Sequence, residues 1–270
     1  MRIGIFAKTF AGSDPASVLT AAKTAGYDAV QYNLACSGLE ATPLHIPDAT
    51  ARAVATAAQA TGVAIAALSG TVNMAHPDPA KRADAIARLL AVIRAAPLTG
   101  APMVTLCTGS RNAADQWAPH PDNTTPEAWA DMRAGMEAAC EAAEAAGVRL
   151  GIEPELANVV DSAAAARRLI DELGSPAPAV VLDPANLFET GDSAAIIARA
   201  VDLLADRIVM AHAKDRAPDG GFATAGTGTV DFPRFIAALR AAGFDGDLVT
   251  HGLTAAEAPW VAAYLRQVTA

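Results

Sequence analysis

The sequence predicts an α/β chain folded as one (β/α)8 TIM barrel over residues 1–270, and three observations carry that expectation. A length of 270 residues is the usual size of one such barrel and suffices to bury a full core as a single domain. The chain repeats one unit, an Ala-rich amphipathic helix, a Gly turn, a short apolar strand and a polar residue at the strand end. Alternation of this kind gives parallel strands joined by crossover helices, and eight units close a ring.

In chain order the strands are expected near 2–7, 27–33, 63–69, 102–108, 148–153, 178–183, 207–212 and 247–251. The first, Arg2-Ile3-Gly4-Ile5-Phe6-Ala7, stops at Lys8 and lacks the long apolar region and cleavage site of a signal peptide. The turns Ala25-Gly26-Tyr27, Thr61-Gly62-Val63, Ala146-Gly147-Val148 and Ala242-Gly243-Phe244 each set Gly where a helix C-terminus needs a left-handed residue. The Ala-rich stretches 51–60 and 138–146 are helix faces, since Ala is the best helix former. Connections after the third and fourth strands, about 69–80 and 108–127, are expected to be the longest. They lie on the face where barrel enzymes carry their sites, so they are candidate lids.

Composition removes several classes of function. Hydrophobic residues make up 52% of the chain, but the excess is mostly Ala in helical segments, and no run of about 20 apolar residues is present to serve as a membrane span. A net charge of −9 repels phosphate backbones, and no Lys/Arg cluster opposes that field, so nucleic acid is not an expected partner. Cys36, Cys107 and Cys140 are odd in number and have no CxxC spacing, which points to reduced thiols in a cytoplasmic protein and not to a disulfide framework or zinc finger.

The chemical signal lies at the ends of strands five to eight: Gly151-Ile152-Glu153, Val181-Leu182-Asp183, Met210-Ala211-His212 and Val249-Thr250-His251. Adjacent strands are about 4.8 Å apart and their C-terminal ends share one rim, so four such side chains can converge on one ion. Taken singly, Glu153 has an alternative as the partner of Arg149, His212 as a hydrogen-bonded core residue, and Asp183 as a turn former before Pro184. Four in succession are harder to explain that way, because uncompensated carboxylates in an apolar interior cost on the order of several kcal/mol each. Two carboxylates and two imidazoles form a mixed O/N donor set suited to Mn, Zn, Co or Fe as the divalent ion.

The segments Ile152-Glu153-Pro154-Glu155, Leu182-Asp183-Pro184-Ala185-Asn186-Leu187, His212-Ala213-Lys214-Asp215 and Gly226-Thr227-Gly228-Thr229-Val230-Asp231-Phe232 resemble the sugar phosphate isomerase/epimerase family of xylose-isomerase-like barrels. The resemblance runs over nearly the whole chain. It implies a metal held by Glu153, Asp183 and His212, with a fourth ligand from the last strand. In the epimerases of that family the last strand supplies a second glutamate, and the two glutamates act on opposite faces of the substrate. Here the last strand ends in His251, so that pair is absent. An imidazole in place of a carboxylate removes one negative charge and leaves a stronger Lewis acid. His251 is therefore either a ligand or a proton-transfer base. The endonuclease branch of similar layout needs a His-rich multinuclear site, which a chain with five histidines and Asp183-Pro184-Ala185-Asn186 does not offer.

Other polar residues fall on the same rim. Lys8, Gln31, Asn33, Ser69, Asn73, Cys107 and Thr108 end or follow the first four strands, where they can meet substrate hydroxyls or remain solvated loop residues. Trp117 and His120 lie in the polar loop 111–123 and are candidates to cover a sugar, the alternative being that Trp117 packs into its own loop. His76 is a weaker candidate and His45 belongs to an exposed connection. Alternation beyond His212 turns Lys214 back towards the site, where it can steady an enediolate oxygen, and Asp215 can orient His212. Glu155, two residues past Glu153 on the same side, is a candidate substitute for the missing carboxylate.

The expected activity is metal-dependent isomerisation or epimerisation of a ketose or related polyol through an enediolate, with Glu153 or His251 as the base. A lyase expelling a β-leaving group shares every early step, and a sugar-binding barrel without turnover is the third reading. The partner is a small-molecule sugar; its identity, phosphorylation, the native metal and the number of subunits, homo-oligomer included, stay open.

Overall fold

In the computed structural model, which describes residues 1–191 and 193–270, eight short apolar segments form one closed barrel of parallel strands. They are β1 (Arg2–Phe6), β2 (Ala29–Tyr32), β3 (Ala64–Ser69), β4 (Met103–Leu106), β5 (Arg149–Ile152), β6 (Pro178–Leu182), β7 (Ile208–Ala213) and β8 (Asp247–Thr250). Each lies at its expected segment, and β1 closes the ring on β8 with Ile3 opposite Leu248. The register shifts between Val30 and Gln31 in β2 and between Val180 and Val181 in β6.

The helices α1 (Pro15–Thr24), α2 (Asp48–Thr61), α3 (Pro79–Thr99), α4 (Pro126–Ala146), α5 (Ala163–Leu173), α6 (Ser193–Leu204), α7 (Phe232–Ala241) and α8 (Ala258–Val268) connect the strands and end the chain. Several start sharply because a side chain accepts from a free N–H of the first turn while Pro fixes the first helical φ. Asp14 accepts from Ser17, Asp78 from Ala80 and Thr125 from Ala128, each directly before a proline. At the other end Gly62 and Gly147 take φ of 65° and 68°, the left-handed caps the sequence called for.

The main apolar core lies between the sheet and its helices, while a smaller cluster of Ala29, Ala66, Ala67, Met103, Val181, Met210 and Val249 is packed separately, inside the ring. Alanines and Gly151 sit beside the two methionines because the interior has little room: a Cβ on Gly151 would lie 2.7 Å from Val181 Cγ2 and 2.9 Å from Met103 Sδ. Gly151→Val is accordingly expected to overpack the barrel at a cost of about 1–3 kcal/mol, read as a lower Tm. An unchanged Tm would mean that this face of β5 does not point into the filled interior.

This plug fixes where chemistry can occur. Side chains alternate along a strand, so the inward positions of β5 to β8 run from Gly151, Val181, Met210 and Val249 to Glu153, Asp183, His212 and His251 two residues later. The apolar residues fill the ring and the polar ones stand at its C-terminal mouth.

Two loop expectations change. The stretch 214–231 after β7 is far longer than the 70–78 stretch after β3 and comparable with 107–125 after β4, so β3 does not carry one of the two longest connections. Part of 214–231 is a two-stranded hairpin pairing Asp215–Arg216 with Phe222–Ala223, whose strands of two residues are too short for periodicity to reveal. Asp215 organises it: its carboxylate accepts from the backbone N–H of Arg216, Gly226, Gly228 and Val230 at 2.9–3.0 Å. A Cβ at Gly228 would stand 2.2 Å from the Arg216 carbonyl oxygen, which is why the turn needs glycine there. Asp215 is thus a loop anchor and does not orient His212.

Candidate metal centre and active site

Glu153, Asp183, His212 and His251 come together at the mouth of the barrel, each offering one donor atom with all four atoms within 4.8 Å of one another. Glu153, Asp183 and His212 are buried and His251 is partly open. His212 Nδ1 lies 3.0 Å from Glu153 Oε1 and 3.9 Å from Asp183 Oδ2, and His251 Nε2 lies 3.0 Å from the same Asp183 oxygen. The two imidazole rings are 4.6 Å apart between centroids.

The electrostatics follow from placing two carboxylates and two imidazoles in so small a volume. Burial opposes ionisation of Glu153, but the charge of His212 and its hydrogen bond prevail and hold the carboxyl below its usual range. Asp183 is likewise kept ionised against burial, by the Lys214 ammonium and by His251. His212 is pushed up: burial disfavours its charge, yet Glu153 and Asp183 outweigh that. Burial and the neighbouring His212 push His251 down. Glu155, buried beside these charges, is raised to about 7 by desolvation, with Lys214 opposing.

The donor chemistry suits a divalent cation. Two buried carboxylates and two imidazoles offer a mixed oxygen and nitrogen donor set, and a central cation would offset the carboxylate charge that protons on the imidazoles and the Lys214 ammonium, 3.4 Å from Asp183, otherwise balance. This buried group could hold a metal ion.

Partners hold these side chains from behind. Lys214 Nζ donates to Asn186 Oδ1 at 2.6 Å, which fixes the amide so that Asn186 Nδ2 donates to Glu153 Oε1 at 2.8 Å. The Cys107 thiol faces the other Glu153 oxygen at 3.8 Å, and its pKa rises well above the ordinary thiol value through burial and the charges of Glu153 and Glu155. His212 Nε2 meets Gln31 Oε1 at 2.8 Å. Phe222, 54% exposed on the hairpin, lies over the cations of Lys214 and Arg216 at 3.7 and 4.0 Å from its ring centroid.

The remaining candidates stand elsewhere on the rim. Asn33 is buried and accepts from Ala35 N–H, capping the short turn Leu34–Ser37. His120 Nδ1 accepts from Asp122 N–H at 3.2 Å and caps Pro121–Thr124, while Trp117 is 51% exposed and its backbone is bound to Asp115 of the same loop. Their hydrogen bonds lie within their own loops. His76 likewise accepts from Asp78 N–H, and Thr108 from Val160 N–H. Asn186, Arg216 and Phe222 were not singled out from sequence. The continued alternation His212, Lys214, Arg216 is the signal that could have found the second; an amide in a turn and one aromatic in a Gly-rich loop offer none.

A parallel eight-stranded barrel with oxygen and nitrogen donors gathered at its C-terminal mouth defines a class of metal-competent barrel proteins. The chain belongs to the xylose isomerase-like TIM barrel family, whose sequence profile matches residues 19–266. Among solved structures it is similar to the 3-keto-D-glucoside 4-epimerase of E. coli, with a TM-score of 0.78, 19% identity and 99% of each chain covered. It is also similar to the D-psicose 3-epimerase of Clostridium cellulolyticum H10, with a TM-score of 0.78, 16% identity, and 100% of this chain and 99% of that one covered. A xylose isomerase-like TIM barrel/4-hydroxyphenylpyruvate dioxygenase fusion protein matches with a TM-score of 0.73 and 20% identity over 99% of this chain, which spans only 42% of the fusion. At these identities the likeness establishes the fold. No curated protein matches the chain. Among the described residues no helix is long and apolar enough to cross a membrane.

Proposed function

We propose that the protein is a metal-dependent isomerase or epimerase of a ketose or related polyol. The observation that carries this reading is the convergence of Glu153, Asp183, His212 and His251 within 4.8 Å at the mouth of a barrel of this family. The epimerase names of its structural neighbours agree with it. The four residues would hold the ion, and a divalent ion supplies Lewis-acid polarisation of a carbonyl and its neighbouring hydroxyl.

The protein side of the reaction is proton transfer at the carbon beside that carbonyl. Glu153 is kept ionised by His212 and can take the proton, and His251, whose charged form burial disfavours, is the second candidate base. Lys214, anchored by Asn186 and Asp183, can donate to the enediolate oxygen. Glu155, raised to about 7 by burial, is a further carboxyl for returning a proton. We assign Asn33, Trp117 and His120 no part in proton transfer; as substrate-facing residues they remain proposals for the rim.

One observation favours a second reading. With His251 where a carboxylate would complete a two-faced acid–base pair, the enediolate has a less evident route to reprotonation from the opposite face, and expulsion of a β-leaving group becomes competitive. Incubating the protein with Mn, Zn or Co and a panel of ketoses and keto-glycosides in deuterated water separates the cases. Deuterium beside the carbonyl with an unchanged formula is the expected result, loss of a leaving group identifies a lyase, and binding without exchange leaves a sugar-binding barrel. The ion itself is tested apart from turnover: metal is expected to raise the Tm, and a chain with no bound metal and no shift would overturn the metal centre.

A further inference from the structure

Both nitrogens of His212 are committed in the protein, and the partners behind the ring determine which of them is available to a cation. A buried relay runs from His212 Nε2 to Gln31 Oε1 at 2.8 Å, from Gln31 Nε2 to Thr105 Oγ1 at 3.0 Å, and from Thr105 Oγ1 to the Leu68 carbonyl at 3.4 Å. Gln31 and Thr105 are 7% and 1% exposed, so water does not supply alternative partners readily. The proton count along the relay has one direction. The Leu68 carbonyl can only accept, so the single hydroxyl proton of Thr105 goes to it. The Thr105 oxygen then accepts from the Gln31 amide N–H, which turns the Gln31 carbonyl oxygen towards His212 as an acceptor. His212 Nε2 must carry a proton to meet it.

The opposite side of the ring pulls the other way. Glu153 Oε1, 3.0 Å from Nδ1, stabilises a proton on Nδ1, which in a neutral ring would leave Nε2 bare and close the Nδ1 lone pair to the site. Gln31 is what opposes this.

We propose that Gln31 is a positioning residue for the metal centre: its carboxamide oxygen keeps the imidazole proton of His212 on Nε2, so that the Nδ1 lone pair faces the other three donors. This rests on the metal reading given above and deepens it. It gives Gln31 a role beyond the one the sequence suggested, since one bond at each end of its amide goes to Thr105 and to His212.

The register of β2 against β3 shifts between Val30 and Gln31, at the residue that reaches His212.

The test has two arms that fail separately. In the metal-free protein at about pH 9, above the usual imidazole range, long-range proton–nitrogen correlation spectra are expected to show His212 Nε2 protonated in the wild type. In Gln31→Leu the proton is expected on Nδ1. Titration with Zn against a competing chelator is expected to show affinity lower by about 10–100-fold in Gln31→Leu, with Gln31→Glu, which keeps an acceptor oxygen, restoring most of it. Gln31→Met serves in place of the leucine variant if that one does not fold. A bare Nε2 in the wild type, or an unaltered tautomer and Zn affinity in Gln31→Leu, overturns the role of Gln31. Absence of Zn binding to the wild type would overturn the metal reading instead, while the spectra would still decide the tautomer.

Discussion

Asp183→Asn is expected to lower divalent-metal affinity by at least about 100-fold, since loss of partners that only orient a ligand already costs about 10–100-fold. Asp183 is the most buried of the four donors. It is fully buried, its Oδ1 accepts from Ala185 N–H at 2.9 Å, and its Oδ2 faces His251 at 3.0 Å and Lys214 at 3.4 Å. His251 and Lys214 thus converge on one Asp183 oxygen, and a cation entering the cluster would replace them there. The amide keeps the size and the Oδ1 contact but loses the charge. Glu155→Gln, two residues past Glu153 and outside the four-donor group, is expected to leave affinity within a few-fold while lowering turnover. Isothermal titration with Mn or Zn on both variants checks this, and equal losses of affinity would mean that the donors have been chosen wrongly.

The contrast between those two carboxylates shows what a sequence discloses about such a site. Glu153, Asp183, His212 and His251 were legible because each stands within one residue of the end of an apolar strand, two residues after an inward apolar position, and a period of two carries that information locally. The same arithmetic pointed Lys214 inward, and it is found 3.4 Å from Asp183. What surrounds them was not legible, because it depends on which residue of one strand or loop lies opposite which residue of another. Gln31 meets His212 across the barrel, over a separation of 181 residues, and β2 shifts register beside it. Asn186 reads as part of a turn after Pro184, and only the fold places its amide between Glu153 and Lys214. Asp215 misled for the same reason: its neighbour in sequence is the inward Lys214, but alternation turns it outward, where four backbone N–H groups of its own loop claim it. The loop after β7 was underestimated because a two-residue strand pair has no periodicity to detect.

His251 is where the chain departs from the epimerase pattern, and replacing it is expected to reduce turnover at least about 100-fold whichever role it has. Its Nε2 is within 3.0 Å of Asp183, which suits a ligand, yet it is the least buried of the four and its ring is the one whose charge burial and His212 both disfavour. A neutral imidazole at the open side of the cluster is able to bind a cation or to take a proton. His251→Gln separates the two. If metal content falls with turnover, the ring is a ligand; if the ion stays and only turnover falls, it is the base. His251→Glu restores a carboxylate at the end of β8, and is expected to keep the ion and to favour reprotonation from the opposite face of the substrate. That variant should therefore raise the ratio of epimerised to eliminated product, measured on one ketose in deuterated water. Unchanged metal content and unchanged turnover in His251→Gln would remove the residue from the site and leave Glu153, Asp183 and His212 as its whole.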